Sequence, residues 1–510
     1  MERHGTNIAR PPERPFRRPR PAAAPSGGGD NGLMGDVMDY PMLIGGRPVT
    51  TGERMPVRLP FDGSEVGRVF RAGRREVDEA VAAALRAAPV MRALTLDERA
   101  AILRNGSDKL AARAEEMALA VSSDSGKPLR EARIEVQRSI STLAFSAEEA
   151  HRLAGEVVPM DASPAGKGRM AMTVREPVGV VAAITPFNFP LNLAMHKIGP
   201  AIAGGNSVVH KPASATPITA LKMARIFQEA GLPPGALNVI TGPGGEIGDW
   251  LTGHPGVSMI TFTGSAEVGL RIRGRAGMKR VTLELGNNSA VIIEPDADLE
   301  AAVPRCVTGS FAHSGQVCIS VQRIYVHREI FDRFVERYVD ETRKLVIGHP
   351  HDARTEISSL ITEQEARRVE EWIAEAVAAG GRLRIGGGRR HRATVEPAVL
   401  TQVPRHVQIS CREAFGPLVL INPYDSLDEA IAWVNDSEYG LQAGIYTRQL
   451  SQAFRAALEV RVGGFMINEV PQYRVDHMPY GGVKMSGSGR EGPKYALEEM
   501  TEPKLICWRI

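Results

Sequence analysis

Apolar residues between 75 and about 157 recur at three- and four-residue spacing, as in REVDEAVAAALRAAPVM and LDERAAILRNGSDKLAARAEEMALAVSSDSG. That spacing gathers them on one helical face, so the stretch reads as helix, and Gly126 closes the second run as a C-cap. Past residue 178 the pattern changes. Continuous apolar runs, VGVVAAIT (178–185), SVVHK (207–211), ALNVITG (236–242), SMITFTG (258–264) and KRVTLELG (279–286), alternate with amphipathic stretches at about 190–203, 215–230, 245–253 and 265–276. A strand buried on both faces is continuously apolar, whereas one that faces water alternates. The runs therefore predict parallel strands, each followed by a helix, in a doubly wound α/β sheet.

Upstream, PMLIGGRPV (41–49) reads as a hairpin turning at Gly45-Gly46. Downstream, a second α/β region runs from SAVIIEPD (289–296) to about 470, with RIYVH and AVLTQV as strands and helices at about 329–345, 363–379 and 427–437. No fixed period repeats along the chain. Two stretches fall outside both cores: GRMAMTVREPVGV (168–180) and the C-terminal YALEEMTEPKLICWRI, a helix followed by a strand. Strand-forming arms of this kind predict a small β sheet shared between subunits, hence a homodimer or homotetramer.

Composition narrows the partners. A chain of 510 residues is too long for one ordinary core, so two or more domains are expected. The net charge is +3, and residues 1–29 carry six arginines against Glu2 and Glu13, which leaves the rest close to neutral. Neither nucleic acid nor a membrane surface is expected as a partner. No apolar run reaches the roughly 18–20 residues of a membrane span. Residues 1–38, rich in Pro, Arg and Gly, read as a disordered tail, with Met34 and Met38 as internal starts. No apolar stretch follows FRRPR, so an export signal is excluded. The four cysteines, Cys306, Cys318, Cys411 and Cys507, form no C-x-x-C pair, which argues against a metal site or a disulfide framework and for a reducing, cytoplasmic setting.

The chemistry-bearing stretches each admit a plain reading beside a functional one. In SGQVCIS, Cys318 follows Gly and Gln rather than sitting in an apolar run, which suggests a turn. In TFTGSAEVG, Ser265 opens a helix whose free N–H groups could hold a phosphate, and an ordinary N-cap reads equally well. TGPGGEIG (241–248) is similar. Lys211 in HKPAS is a ribose or phosphate donor or a solvated lysine, with Ser214 where an acidic residue for a ribose 2′-OH is familiar. Asn188 in TPFNFPLNL is a turn residue or an amide donor for an oxyanion. Glu284 in LELGNN, between leucines at a strand end, is an edge carboxylate or a general base raised in pKa.

Six motifs in order, TPFNFP (185–190), KPA (211–213), FTGS (262–265), LELG (283–286), GQVC (315–318) and EAFGP (413–417), with 34 residues from Glu284 to Cys318, resemble the aldehyde dehydrogenase superfamily over about 41–510. The resemblance implies a Rossmann-like cofactor domain (39–157 and 179–288), a catalytic α/β domain (289–470) and β oligomerisation arms (158–178 and 488–510). It implies that Cys318 attacks an aldehyde, that Asn188 and the Cys318 N–H hold the oxyanion, that Glu284 activates water and that Lys197 supports this network. NAD⁺ or NADP⁺ would contact Thr185, Pro186, Phe187, Lys211 and Ser214, then Gly244, Gly248, Phe262, Gly264 and Ser265. Leu285, Gly286, Glu413 on the nicotinamide ribose and Phe415 complete the cofactor set. The subgroup favours NAD⁺, and Ser214, where the family commonly has Glu, would tolerate NADP⁺. A second departure is LELGNN in place of LELGGK, with Asn287 and Asn288.

NEVPQYRVDHMPYGGVKMSGSGREG (468–492) resembles the subgroup of lactaldehyde, phosphonoaldehyde and non-phosphorylating glyceraldehyde-3-phosphate dehydrogenases. Arg474 and His477 here, with Arg133 in REARIEVQRS, predict a site for a small anionic aldehyde through paired N–H donors. The plain reading is solvated or structurally paired arginines. The expected substrate is a phosphonoaldehyde, phosphonoformaldehyde or phosphonoacetaldehyde, with lactaldehyde and glyceraldehyde 3-phosphate as alternatives. From another class, a catalytically silent relative is disfavoured by the intact Cys318, Asn188 and Glu284.

Overall fold

The computed structural model describes residues 38–510. The tail expected over 1–38 lies outside the described residues except for Met38, whose carbonyl accepts from the Arg68 N–H at 3.0 Å. The apolar runs form five parallel strands: β1 (Val180–Ile184), β2 (Ser207–Lys211), β3 (Leu237–Val239), β4 (Met259–Thr263) and β5 (Arg280–Glu284). Every residue of β1, β2 and β4 is buried, as a sheet covered by helices on both faces requires. The spatial order is β5-β4-β1-β2-β3. The chain winds outward from β1 to β3, then restarts on the other side of β1 with β4. At that reversal the loops leave in opposite directions, and a crevice opens at the C-terminal strand ends. The hairpin Met42–Ile44 and Arg47–Val49 extends the sheet beyond β3, and Gly487–Ser488 closes the other edge against β5.

The long helical stretch divides into Arg74–Ala93, Leu96–Ala112, Ala114–Ser125 and α1 (Leu129–Arg152). Thr95 and Glu98 exchange side-chain-to-backbone bonds at the second start, a capping box. Gly126 ends the third helix with φ of 71° and its N–H on the Ser122 carbonyl. α2 (Asn192–Ala203) follows β1 and is buried at every position.

The second sheet runs parallel through β6 (Ala290–Ile293), β7 (Arg323–His327), β8 (Ala398–Thr401), β9 (Leu418–Tyr424), β10 (Gln442–Tyr446) and β11 (Gly464–Ile467), in the order β8-β9-β7-β6-β10-β11, with Arg382–Ile385 antiparallel outside β8. The apolar pattern did not reveal β10, because its Gln442 is buried, its amide satisfied by the Pro471 and Tyr473 carbonyls. It also missed β9, β11 and the helices Leu299–Phe311 and Leu450–Glu459.

The two arms meet in one small sheet. Arg169–Pro177 pairs antiparallel with Thr501–Arg509 along its whole length and with Val157–Val158 on its other side. The C-terminal arm is shorter than the expected 488–510. Gly487–Ser488 belongs to the nucleotide-type sheet, and helix Pro493–Glu499 packs on α1 and α2 because it buries Ala496 and Leu497 there. Among the described residues no helix is long and apolar enough to cross a membrane, and no group of three His, Cys, Asp or Glu is placed to hold a metal ion.

Candidate active site

The turn after β1 carries TPFNFP and is pinned from α1. Glu135, fully buried, accepts from the Leu191 and Asn192 N–H groups at 2.9 and 3.2 Å at the start of α2, where a helix end favours negative charge. Its counter-ion is buried Lys127, whose ammonium also sits 3.7 Å over the Phe189 ring. Asn188 is held in turn. Its Oδ1 accepts from Phe189 N at 3.1 Å and its Nδ2 donates to the Gln316 carbonyl at 2.9 Å. An amide nitrogen has two hydrogens, so one donor remains for another acceptor.

Cys318 arrives from the opposite side. His313 and Ser314 adopt φ of 48° and 55°, and Gly315 a φ of 73°. A Cβ at Gly315 would lie 2.0 Å from the Gly416 carbonyl oxygen, so only glycine fits. Gln316 fixes this bend by accepting from Ile361 N at 2.9 Å. Strained backbone of this kind persists where surrounding contacts over-determine it, often at functional sites. The Cys318 Sγ lies 2.9 Å from the Tyr480 hydroxyl. Burial pushes the thiol up to about 11, against the Tyr480 hydrogen bond and the Arg474 charge, which lower it.

Beyond the sulfur lies a cluster of buried charge. Glu284, at the end of β5, is 2% exposed and neither carboxylate oxygen has a partner. Lys197, on α2, donates to Glu491 at 2.8 Å and to Thr261 at 3.2 Å. The other Glu491 oxygen accepts from Arg474 at 3.2 Å. Burial opposes the charge on Glu491, but Lys197 and Arg474 outweigh it and hold the group at about 2. Burial, and then the charge of Glu491, raise Glu284 well above the usual carboxylate range. Two carboxylates driven apart in this way can divide between charge anchor and proton acceptor. A layer further out, Asp476 accepts from Arg138, Asn192 and His196 at 2.9, 3.0 and 3.1 Å.

On the near side a cleft of about 550 Å³ opens on Cys318. Pro186, Phe187 and Asn188 line it from β1, Gly264 and Ser265 from β4, Leu285 and Gly286 from β5, and Glu413 and Phe415 from the second domain. Ser265 does cap the following helix, its Oγ accepting from Val268 N, and the helix start faces the cleft. Thr263 Oγ1 is buried there without a partner. Glu413 accepts from Asn287 N at 3.0 Å, is pushed up to about 7 by burial, and crowds Gly286 so closely that a Cβ there would meet it at 2.4 Å. Lys211 and Ser214 form a neighbouring group at the end of β2. Lys211 donates to the Pro212 carbonyl, sits beside Gly244 and is pulled down to about 8 by burial, while Ser214 donates to Gly242. Size, donors and the glycine lining fit a nicotinamide dinucleotide.

Other expected residues lie elsewhere. Thr185 is turned to His210 at 3.0 Å, Phe262 is packed in the core, and Gly248 lies one turn along helix Gly244–Gly253. Arg133 is half exposed on the outer face of α1, paired with Glu115 at 2.6 and 2.9 Å, because the buried face of that helix runs through Ala132, Glu135 and Ser139. Arg138, on the same helix, reaches the Asp476 layer instead. His477 is exposed against Phe145 at 4.7 Å. Asn287 and Asn288, the departures from the common motif, tie the sheets together: Asn287 bonds Ser289, and Asn288 bonds the Ser410 and Cys411 carbonyls and the Ser437 hydroxyl. Sequence reasoning missed Tyr480, Glu491, Asp476, Arg138 and His196. Tyr480, Asp476 and Glu491 lie in the polar, glycine-rich stretch 468–492, Arg138 five residues after Arg133 and His196 next to Lys197, so each sits beside a residue that the sequence did single out.

The model of the Aldehyde dehydrogenase family matches residues 48–506. The chain is 50% identical to 3-sulfolactaldehyde dehydrogenase of Priestia aryabhattai over 93% of its own length and 99% of that protein. It is 39% identical to lactaldehyde dehydrogenase of Methanococcus aeolicus, covering 91% and 99%. The structure of a glyceraldehyde-3-phosphate dehydrogenase from Methanocaldococcus jannaschii, complexed with NADP, superposes with a TM-score of 0.87 at 39% identity, covering 90% and 100%. A nucleotide-type sheet, a cysteine at the mouth of its crevice and matches over nearly the whole chain agree: this protein belongs to the aldehyde dehydrogenase family and is an NAD(P)⁺-dependent oxidoreductase of aldehydes.

Proposed function

We propose that the substrate is a small anionic 2-hydroxyaldehyde of the 3-sulfolactaldehyde class, oxidised to the acid on Cys318. The observation that carries this is Arg474. Its side chain is 5% exposed and its Nε has no partner, while its guanidinium lies 3.7 Å over the ring of Tyr480, which touches the Cys318 sulfur. A buried, unspent donor on a cation beside the reacting atom suits a sulfonate or phosphate oxygen. The 50% identity to a sulfolactaldehyde dehydrogenase supports a sulfonate ahead of the phosphonoaldehyde expected from sequence. Lactaldehyde is the second reading, supported by the 39% relative.

In this reading the sulfur bonds to the aldehyde carbon, and the carbonyl electron pair moves to oxygen, held by the free Asn188 N–H and the Cys318 N–H. Gly264, Ser265, Gly286 and Glu413 would hold a nicotinamide cofactor, which would accept the hydride that leaves the captured carbon as the alkoxide collapses to the thioester. Glu284 then takes a proton from water, which attacks the thioester, and Lys197 with Glu491 sets the field in which it does so. The ribose end, with Lys211 and with Ser214 where the family commonly has Glu, admits NADP⁺ as well as NAD⁺. Thr501–Arg509 is an edge strand with Leu505, Ile506 and Trp508 exposed, and we read it as the interface of a homodimer or homotetramer. Four free cysteines suit the cytoplasm.

The test is kcat/KM by absorbance at 340 nm on 3-sulfolactaldehyde and propanal. Arg474→Ala lowers the ratio of the two by about 10- to 100-fold, the worth of a charge-assisted hydrogen bond. Equal losses on both substrates contradict the anion role.

A further inference from the structure

Resting on the reading of Cys318 as the nucleophile for a 2-hydroxyaldehyde, we propose that Tyr480 is a specificity-determining catalytic residue, whose hydroxyl passes from the Cys318 sulfur to the hydroxyl on the carbon next to the aldehyde. The hydroxyl of Tyr480 bonds the sulfur at 2.9 Å and makes no other hydrogen bond among the described residues. The side chain cannot swing away. Tyr480 is 2% exposed and packs with Val317, Ile319 and Leu441. Its backbone exchanges both hydrogen bonds with Glu491, at 3.0 and 2.6 Å, and the Arg474 guanidinium covers its ring. The position of the hydroxyl is therefore set by the same buried residues that carry the charge cluster, which is the support a precise contact needs.

The reaction itself changes what this hydroxyl faces. When the sulfur forms its bond to the aldehyde carbon, the carbonyl π pair becomes an alkoxide lone pair, and the thiol has already given up its proton to solvent water. The sulfur is then a thioether, a weak acceptor. A buried phenol that loses its acceptor needs another. The hydroxyl on the adjacent carbon is three bonds from the sulfur, within reach of a phenol that already bonds that sulfur at 2.9 Å, so it is the acceptor that arrives with the substrate. An aldehyde with hydrogen in that place leaves the phenol unpaired, and a site built around a hydroxyl rejects the analogue lacking it. Burial and the neighbouring Cys318 raise the phenol well above its ordinary range, so it acts as a donor and not as a base. Arg474 on the face of the same ring places the anion receptor and the hydroxyl receptor on one short loop.

The experiment compares wild type and Tyr480→Phe on two matched pairs, 3-sulfolactaldehyde with 3-sulfopropanal and lactaldehyde with propanal. It also follows the pH dependence of Cys318 alkylation by iodoacetamide in the absence of substrate. The proposal expects the hydroxy-to-deoxy ratio of kcat/KM to fall about tenfold in both pairs. It also expects the alkylation midpoint to move to higher pH, because a donor to the thiolate has been removed. An unchanged ratio overturns the proposal, and so does an unchanged alkylation midpoint. If wild type shows no preference for the sulfonates, the anionic reading fails while the lactaldehyde and propanal pair still decides the role of Tyr480.

Discussion

The two sides of the Cys318 sulfur are built from different materials. The cleft side is made mostly of backbone, glycines, a helix start and Glu413 turned to Asn287, with one ion pair, Arg368–Glu365, in its lining. The far side packs Lys197, Glu284, Glu491 and Arg474 out of water, with Asp476, Arg138 and His196 behind them. A dinucleotide is large and is held by many weak, neutral contacts over a preformed surface. A proton acceptor needs a tuned field, and burying a few charges in fixed positions supplies one. The difference implies that substitutions on the far side change how the chemistry depends on pH, while those on the cleft side change which cofactor is used.

Glu284→Gln gives the largest effect. Steady-state turnover falls about 10²- to 10⁴-fold, as loss of a general base does, while a first burst of reduced cofactor survives. A variant that loses the burst as well would place Glu284 in the first half-reaction and blur the contrast. Glu491→Gln comes next. It removes the like charge that, after burial, does most to raise Glu284, and it releases Lys197 and Arg474 to attract the carboxylate. Both changes favour the ionised form, so the acid limb of the kcat profile moves to lower pH. A limb that stays in place would show that the two carboxylates do not share a field.

The same contrast explains what the sequence revealed. Cleft residues sit in short local motifs at strand ends, so TPFNFP, FTGS and LELG were legible from the alternation of apolar run and turn. The charge cluster draws on α1, α2, β5 and the 474–491 loop, and no local pattern links them. Lys197, Glu284 and Arg474 emerged from motifs, whereas Tyr480, Asp476 and Glu491 did not. Helix phase defeated one further reading. Arg133 and Arg138 are five residues apart, about 140° around a helix of 3.6 residues per turn, so one faces water and the other the Asp476 layer. The start of the arm expected over 488–510 was not legible because tertiary contacts, not composition, tie Gly487–Ser488 to β5 and helix Pro493–Glu499 to α1 and α2.

On the cleft side, Ser214→Glu lowers kcat/KM for NADP⁺ relative to NAD⁺ about tenfold or more, since a carboxylate at the end of β2 repels a 2′-phosphate. Equal effects on both cofactors would move the ribose away from Lys211 and Ser214. The smallest effect belongs to neither side. Arg133→Ala breaks an exposed pair with Glu115 and changes kcat/KM for an anionic aldehyde by no more than about twofold, as surface ion pairs do. A large loss would return Arg133 to the substrate site.

The central claim is that an acyl group rests on Cys318 between the two half-reactions. Glu284→Gln, mixed with NAD(P)⁺ and 3-sulfolactaldehyde or lactaldehyde and quenched in acid, tests it by peptide mass. The account predicts an added mass equal to the substrate's acyl group on the peptide containing Cys318. Burst formation of reduced cofactor with that peptide unmodified, or with the acyl group on Cys306, Cys411 or Cys507, would contradict it.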